Sequence, residues 1–157
     1  MKRLYENMIR HHHSTMKQMS LVSGPRQVGK TTMAKSLNPD AFYLNYDIGS
    51  DQKLIRGNST QLNQKLGLDQ LLAHKKWIVF DELHKFNKWK SFLKGFYDEN
   101  SEKTNIVVTG SARLQVYKKI GDSLLGRYFN YRMHPLSVSE IQHTDKRDLE
   151  TEILKPK

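Results

Sequence analysis

The stretch Ser23-Gly24-Pro25-Arg26-Gln27-Val28-Gly29-Lys30-Thr31-Thr32 constrains the fold of this chain more than any other. It has the spacing Gly, four residues, Gly-Lys-Thr. A β-prone run, Gln18 to Ser23, precedes it, and a helix-prone run, Thr32 to Leu37, follows. In that context the pattern predicts a phosphate-binding loop. Glycine at 24 and 29 lets the backbone take positive φ and pass close to a phosphate. The loop amides then form a concave anion nest, and the helix starting near Lys30 adds the positive end of its dipole. Lys30 is expected to reach the β- and γ-phosphates, and Thr31 to offer its hydroxyl to Mg²⁺. The expected nucleotide-binding set is Gly24, Pro25, Arg26, Gln27, Val28, Gly29, Lys30, Thr31 and Thr32. Without its flanking elements, the same pattern would read as a surface turn.

A second stretch supports the first. Lys76-Trp77-Ile78-Val79-Phe80-Asp81-Glu82 sets four apolar residues before two acids. Consecutive apolar residues suit a strand buried on both faces, as in a parallel sheet. Buried acids need a cation, and Mg²⁺ supplies one. Asp81 is therefore read as a metal residue with Thr31, and Glu82 as the general base that orients the attacking water. Asn105-Ile106-Val107-Val108-Thr109-Gly110-Ser111 is a further apolar strand ending in small polar residues. Ligands sit at the carboxyl ends of parallel strands. Thr109 and Ser111 then either approach the γ-phosphate or form a turn that caps a helix from Ala112 to about Lys118.

The remaining elements follow from periodicity. Met1 to Arg10 reads as a short amphipathic helix and His11-His12-His13 as an exposed turn. Ala41 to Asp47 is expected as a strand, Asp51 to Arg56 as a short helix, and Thr60 as the cap of a helix reaching about Ala73. Trp89, Phe92, Leu93 and Phe96 fall at helical spacing, a stripe read as core packing. Tyr128 to Met133 reads as a fifth strand, and Ser137-Val138-Ser139-Glu140 as a capping box.

Composition excludes several alternatives. With no cysteine, neither a disulfide framework nor a thiolate metal site is possible. No apolar run approaches the ~20 residues of a membrane span, and the N-terminus lacks a signal-peptide core. A cytoplasmic location is expected. The net charge of +10 is scattered along the chain and reads first as a solvated surface around a site that attracts phosphates.

Taken in order, G-P-R-Q-V-G-K-T-T, I-V-F-D-E-L-H, V-V-T-G-S-A, L-G-R and P-L-S-x-x-E resemble a bacterial and archaeal family of AAA+ ATPases. The resemblance covers about residues 1–142. It implies a three-layer α/β/α P-loop sandwich with a mainly parallel five-stranded sheet. It also implies a Walker A role for Lys30 and Thr31 and a Walker B role for Asp81 and Glu82. Ser111 takes the sensor-1 position, and Arg127 is a candidate sensor or arginine finger, in cis or in trans. Family members usually continue into a helical region and a nuclease-like domain. Here 143–157 is a charged tail, so the chain is expected to be the ATPase core of something longer.

The leading expectation is Mg²⁺-dependent ATP hydrolysis, with Glu82, Lys30, Ser111 and Arg127 as the catalytic set. The competing expectation is a nucleotide-gated module for a protein or DNA partner with little hydrolysis. A homo-oligomer is a further partner expectation. A small-molecule kinase would need a lid and acceptor site with no signature here. Asn87-Lys88-Trp89-Lys90 begins like the guanine-reading N-K-x-D motif but ends in Lys90, which favours adenine.

Overall fold

Five parallel strands carry the molecule. They are β1 (Met19–Ser23), β2 (Phe42–Asn45), β3 (Lys76–Asp81), β4 (Thr104–Gly110) and β5 (Tyr128–Arg132). Their order is β2-β3-β4-β1-β5, and each neighbouring pair is parallel. The computed structural model describes residues 3–111 and 124–142. The expected helix at 112–118 and the charged tail at 143–157 lie outside the described residues.

Apolar runs in β1, β3 and β4 follow from helices covering both sheet faces. Leu21, Ile78, Phe80 and Val108 enter one core, with Leu62 and Leu93 opposite them. Val22, Val79 and Val107 enter the other, against Ile9, Met33 and Leu37. Helices α1 (Leu4–Thr15) and α2 (Lys30–Ser36) therefore cover one face. Helices α3 (Gly49–Arg56), α4 (Ser59–Leu66) and α5 (Trp89–Asn100) cover the other. This is the expected three-layer sandwich. The aromatic stripe of α5 is core: Phe80 meets Phe92 and Phe96 edge-on at 5.4 and 5.3 Å.

Two local expectations are corrected. Helix α4 is capped by Asn58, whose side chain accepts from the Thr60 amide at 2.8 Å. It ends at Leu66 because Gly67 takes the left-handed conformation, so Leu71 is fully exposed. The three histidines do not form an exposed turn, since α1 runs through them to Thr15. Adjacent helical side chains diverge, so His11 faces out while His12 and His13 are buried. His13 Nε2 lies 3.0 Å from Ser20 Oγ, and its ring meets Trp77 edge-on. Burial, then the nearby His12 and Lys75, push the His13 pKa down to about 3, so its imidazole packs as a neutral group.

A buried ion pair closes the structure below the loop that follows β1. Arg3 Nε donates to Glu140 Oε1 at 2.8 Å, Nη1 to the Val28 carbonyl at 2.6 Å and Nη2 to the His134 carbonyl at 2.7 Å. Glu140 opens helix α6 (Val138–Gln142) in the expected capping box. The Ser137 amide donates to Glu140 Oε2 at 3.0 Å, and the Glu140 amide to Ser137 Oγ at 3.2 Å. Burial opposes ionisation of Glu140. Hydrogen bonds from Ser137, Arg3 and the Leu4 amide outweigh it and hold the pKa below the ordinary glutamate value.

Breaking this pair by Arg3→Ala leaves a buried charge. The expected loss is about 3 kcal/mol, or roughly 6–12 °C in Tm. A carboxylate with a depressed pKa stabilises the fold above its unfolded value of about 4.3. That contribution disappears as pH falls through the folded value. Glu140→Gln should therefore lower Tm near neutral pH, with the gap to wild type closing below about pH 4. Thermal unfolding across pH checks both, and a gap independent of pH would refute the ion-pair account.

Candidate functional site

The parallel sheet brings the carboxyl ends of all five strands to one edge. The loop 24–29 leaves β1 there. Gly24 has φ 157°, and a Cβ at this position would strike the Met133 carbonyl oxygen just past β5. Gly29, φ 86°, sits in the left-handed region as the N-cap of α2. Lys30 Nζ folds back over the loop, donating to the carbonyls of Gly24 at 3.1 Å and Pro25 at 2.5 Å. Burial lowers the Lys30 pKa, and the carboxylates of Glu82 and Asp81 offset only part of that effect.

Asp81 ends β3 and collects four donors. Thr31 Oγ1 reaches its Oδ2 at 2.8 Å, and the Tyr43 hydroxyl donates to the same oxygen. Thr109 Oγ1 donates to Oδ1, as does the Glu82 amide at 3.1 Å. Burial, then the bond to Asp81, raises the Tyr43 pKa, so the phenol is a proton donor near neutral pH. Sequence reasoning read Tyr43 only as a strand aromatic and aimed Thr109 at a phosphate or a turn. Strand pairing is what reveals their contacts. Phe80 pairs with Val108, which sets Asp81 level with Thr109, and Asn45 pairs with Asp81, which draws β2 alongside.

Glu82 follows with φ 55°, a conformation a non-glycine residue rarely adopts. Its Oε2 lies 3.3 Å from Lys85 Nζ and 3.7 Å from His84 Nε2. Lys85 also grips both oxygens of Asp47 at 2.6 and 2.7 Å, and that bond raises its pKa. His84 Nε2 lies 3.1 Å from Ser111 Oγ. His84 and Lys85 stand on a short 3₁₀ turn, Leu83–Lys85, and were not singled out from sequence. The signal available was their position directly after the acidic pair.

A cleft of about 840 Å³ opens here, lined by Arg26, Lys30, Thr31, Glu82, His84 and Ser111 among others, with Asp81 buried behind Thr31. A second cleft of about 580 Å³ flanks the loop, where Val28, Met33, Pro135 and Leu136 supply apolar surface. Arg26 and Thr32 border both clefts. Arg127 does not join them. It precedes β5 at the amino edge of the sheet, and its carbonyl accepts from the Met19 amide at 2.8 Å. Its guanidinium pairs with Asp98 at 2.7 and 3.1 Å. One strand of five residues, about 16 Å, separates the two edges.

A family model described as an AAA domain matches residues 16–142. The chain belongs to the AAA domain family. This makes the domain a nucleotide-binding module of the ATPase type. Over 127 residues the AAA domain is 28% identical to an uncharacterized protein of Methanocaldococcus jannaschii, MJ1544, covering 78% of the chain. The chain spans about a quarter, 27%, of that relative's length. Solved structures share the fold at low identity. The Aeropyrum pernix ORC1 protein, solved in complex with DNA, matches with TM-score 0.64 and 13% identity over 93% of this chain and 48% of that one. A DNA polymerase III gamma subunit-related protein of Thermotoga maritima matches with TM-score 0.58 and 13% identity over 94% and 49%. C. elegans PCH-2 matches with TM-score 0.51 and 16% identity over 84% and 39%.

Because the Gly24 contact is backbone against backbone, Gly24→Ala forces the loop off β5. Overpacking of this kind costs about 1–3 kcal/mol, and the expected readout is a lower Tm. An unchanged Tm would mean that the AAA domain's loop moves away from Met133 without cost.

Proposed function

We propose that this chain binds ATP with Mg²⁺ in the larger cleft and hydrolyses it by in-line attack of water. The observation that carries the reading is the convergence of Lys30, Thr31, Asp81, Glu82 and Ser111 at one sheet edge. Thr31 Oγ1 and Asp81 Oδ2 are oxygen donors 2.8 Å apart, a set that suits a hard divalent cation. When bound, Mg²⁺ would neutralise charge on the β- and γ-phosphate oxygens.

The roles of the chain's own groups follow from their chemistry. The loop amides of Gly24 to Thr32 and the α2 terminus hold the phosphates. Lys30 exchanges its two loop carbonyls for phosphate oxygens, a change favoured by charge, because burial already disfavours its lone ammonium. Tyr43 and Thr109 orient Asp81. Glu82 orients the attacking water and Ser111 contacts the γ-phosphate. The apolar second cleft suits the adenine base. Arg127 lies outside this cleft within one chain, so a finger role for it requires a second copy. In the second reading, nucleotide binding gates a surface for a protein or DNA partner and hydrolysis is slow. The ion pair of Lys85 with Glu82 favours that reading.

Thermal unfolding with Mg²⁺-ATP tests binding. Ligand at 100 times its Kd adds about 2.7 kcal/mol, roughly 5–10 °C at this size. The expected result is a shift in wild type that disappears in Lys30→Ala, and no shift in either would defeat the proposal. Phosphate release separates the two readings. Glu82→Gln should keep the shift and lose turnover, whereas equal release rates in wild type and Glu82→Gln would favour the gated module.

A further inference from the structure

We propose that Glu6 is a specificity residue whose carboxylate accepts a hydrogen bond from the exocyclic amino group of adenine in the second cleft. This rests on the nucleotide-binding reading above. Glu6 stands in the first turn of α1, is 5% exposed and lines that cleft with Arg3, Val28, Met33, Pro135 and Leu136. The last four offer apolar surface to the flat faces of a purine. Such surface cannot tell one purine from another, because every base presents a similar face. Discrimination falls to a polar group, and Glu6 is the one acid among the described residues that line the cleft.

The two oxygens of Glu6 have different neighbours. Oε1 accepts from the Arg3 amide at 3.1 Å, the bond that caps α1. Among the described residues nothing donates to Oε2. The cap requires one acceptor, so Oε2 is the one Glu6 can offer to the cleft. Two main-chain acceptors at the cleft are already engaged. The Val28 carbonyl accepts from Arg3 Nη1, and the Ser36 carbonyl from Arg10 Nη2 at 2.7 Å. Arg3 is itself held by Glu140 and the His134 carbonyl, so the amide that orients Glu6 is fixed by the far end of the described chain. An ionised carboxylate only accepts. Adenine brings an amino group to it, whereas a 6-keto purine brings a second acceptor to the same point, which is repulsive. Reading guanine through its N1–H and 2-amino group takes both oxygens of a carboxylate, and Oε1 is committed to the cap.

Calorimetric titration with the Mg²⁺ complexes of ATP, purine riboside triphosphate and inosine triphosphate tests this. Purine riboside triphosphate lacks only the 6-amino group, and inosine triphosphate carries a keto oxygen in its place. Wild type is expected to bind ATP about 10- to 100-fold tighter than purine riboside triphosphate, the worth of a hydrogen bond to a charged group. Inosine triphosphate should bind no better than purine riboside triphosphate. Glu6→Gln keeps the cap, since glutamine also serves at that position. The Arg3 amide then holds the carboxamide oxygen, which turns the NH₂ group toward the cleft. ATP should weaken to the level of purine riboside triphosphate, whose own affinity should not change, and inosine triphosphate should become the tightest of the three. A Glu6 that only caps α1 would leave the three affinities in the same ratio in wild type and Glu6→Gln. That result, equal binding of ATP and purine riboside triphosphate by wild type, or tighter binding of inosine triphosphate than ATP by wild type would overturn the base recognition alone. No binding of ATP by wild type would overturn the nucleotide reading and the recognition with it.

Discussion

A carboxylate 3% exposed to solvent is tolerable only where its charge is met, and the hydrogen bonds of Asp81 are the constraint on which the site depends. Its four donors come from different parts of the fold. Thr31 brings in α2, Tyr43 brings in β2, Thr109 brings in β4, and the Glu82 amide fixes the turn beyond β3. Asp81 thereby locks the phosphate-loop helix to the sheet edge. The same network that makes burial of the charge affordable also sets the distance between the loop and the acidic pair.

The sheet was legible because parallel strands covered on both faces must be apolar throughout, and Ile78-Val79-Phe80 and Ile106-Val107-Val108 announce that condition directly. The loop was legible because few backbones satisfy its spacing and its neighbours together. The second rank of the site was not. Tyr43, Thr109 and His84 reach their partners through strand register and through a 3₁₀ turn, and neither leaves a periodic mark in one sequence. The histidine triplet, expected as an exposed turn, is a related case: Ser20 and the Gln18 carbonyl offer partners on the sheet side. Arg127 precedes β5 at the amino edge of the sheet, a placement that its number in the chain does not announce.

Around the larger cleft, several charged groups are met by partners of the chain itself. Lys30 caps its own loop's carbonyls, and Glu82 adopts positive φ with Lys85 and His84 alongside. Strain and self-satisfaction of this kind concentrate where a site changes partners during its work. Asp81 is held by neighbouring strands and by α2, whereas Lys30, Glu82 and His84 sit at a helix start, a strand exit and a single turn.

The Arg3 clamp has a consequence for the order in which the molecule is completed. Its partner Glu140 lies 137 positions away, and β1 pairs with β4 and β5, both encoded late. A chain emerging from the ribosome therefore presents its phosphate loop long before the groups that shape it exist. The loop is made before β4, β5 and Glu140 and acquires its final form only after them. The Arg3 bond to the Val28 carbonyl and the Arg3–Glu140 pair can coexist only once residue 140 has been synthesised and docked.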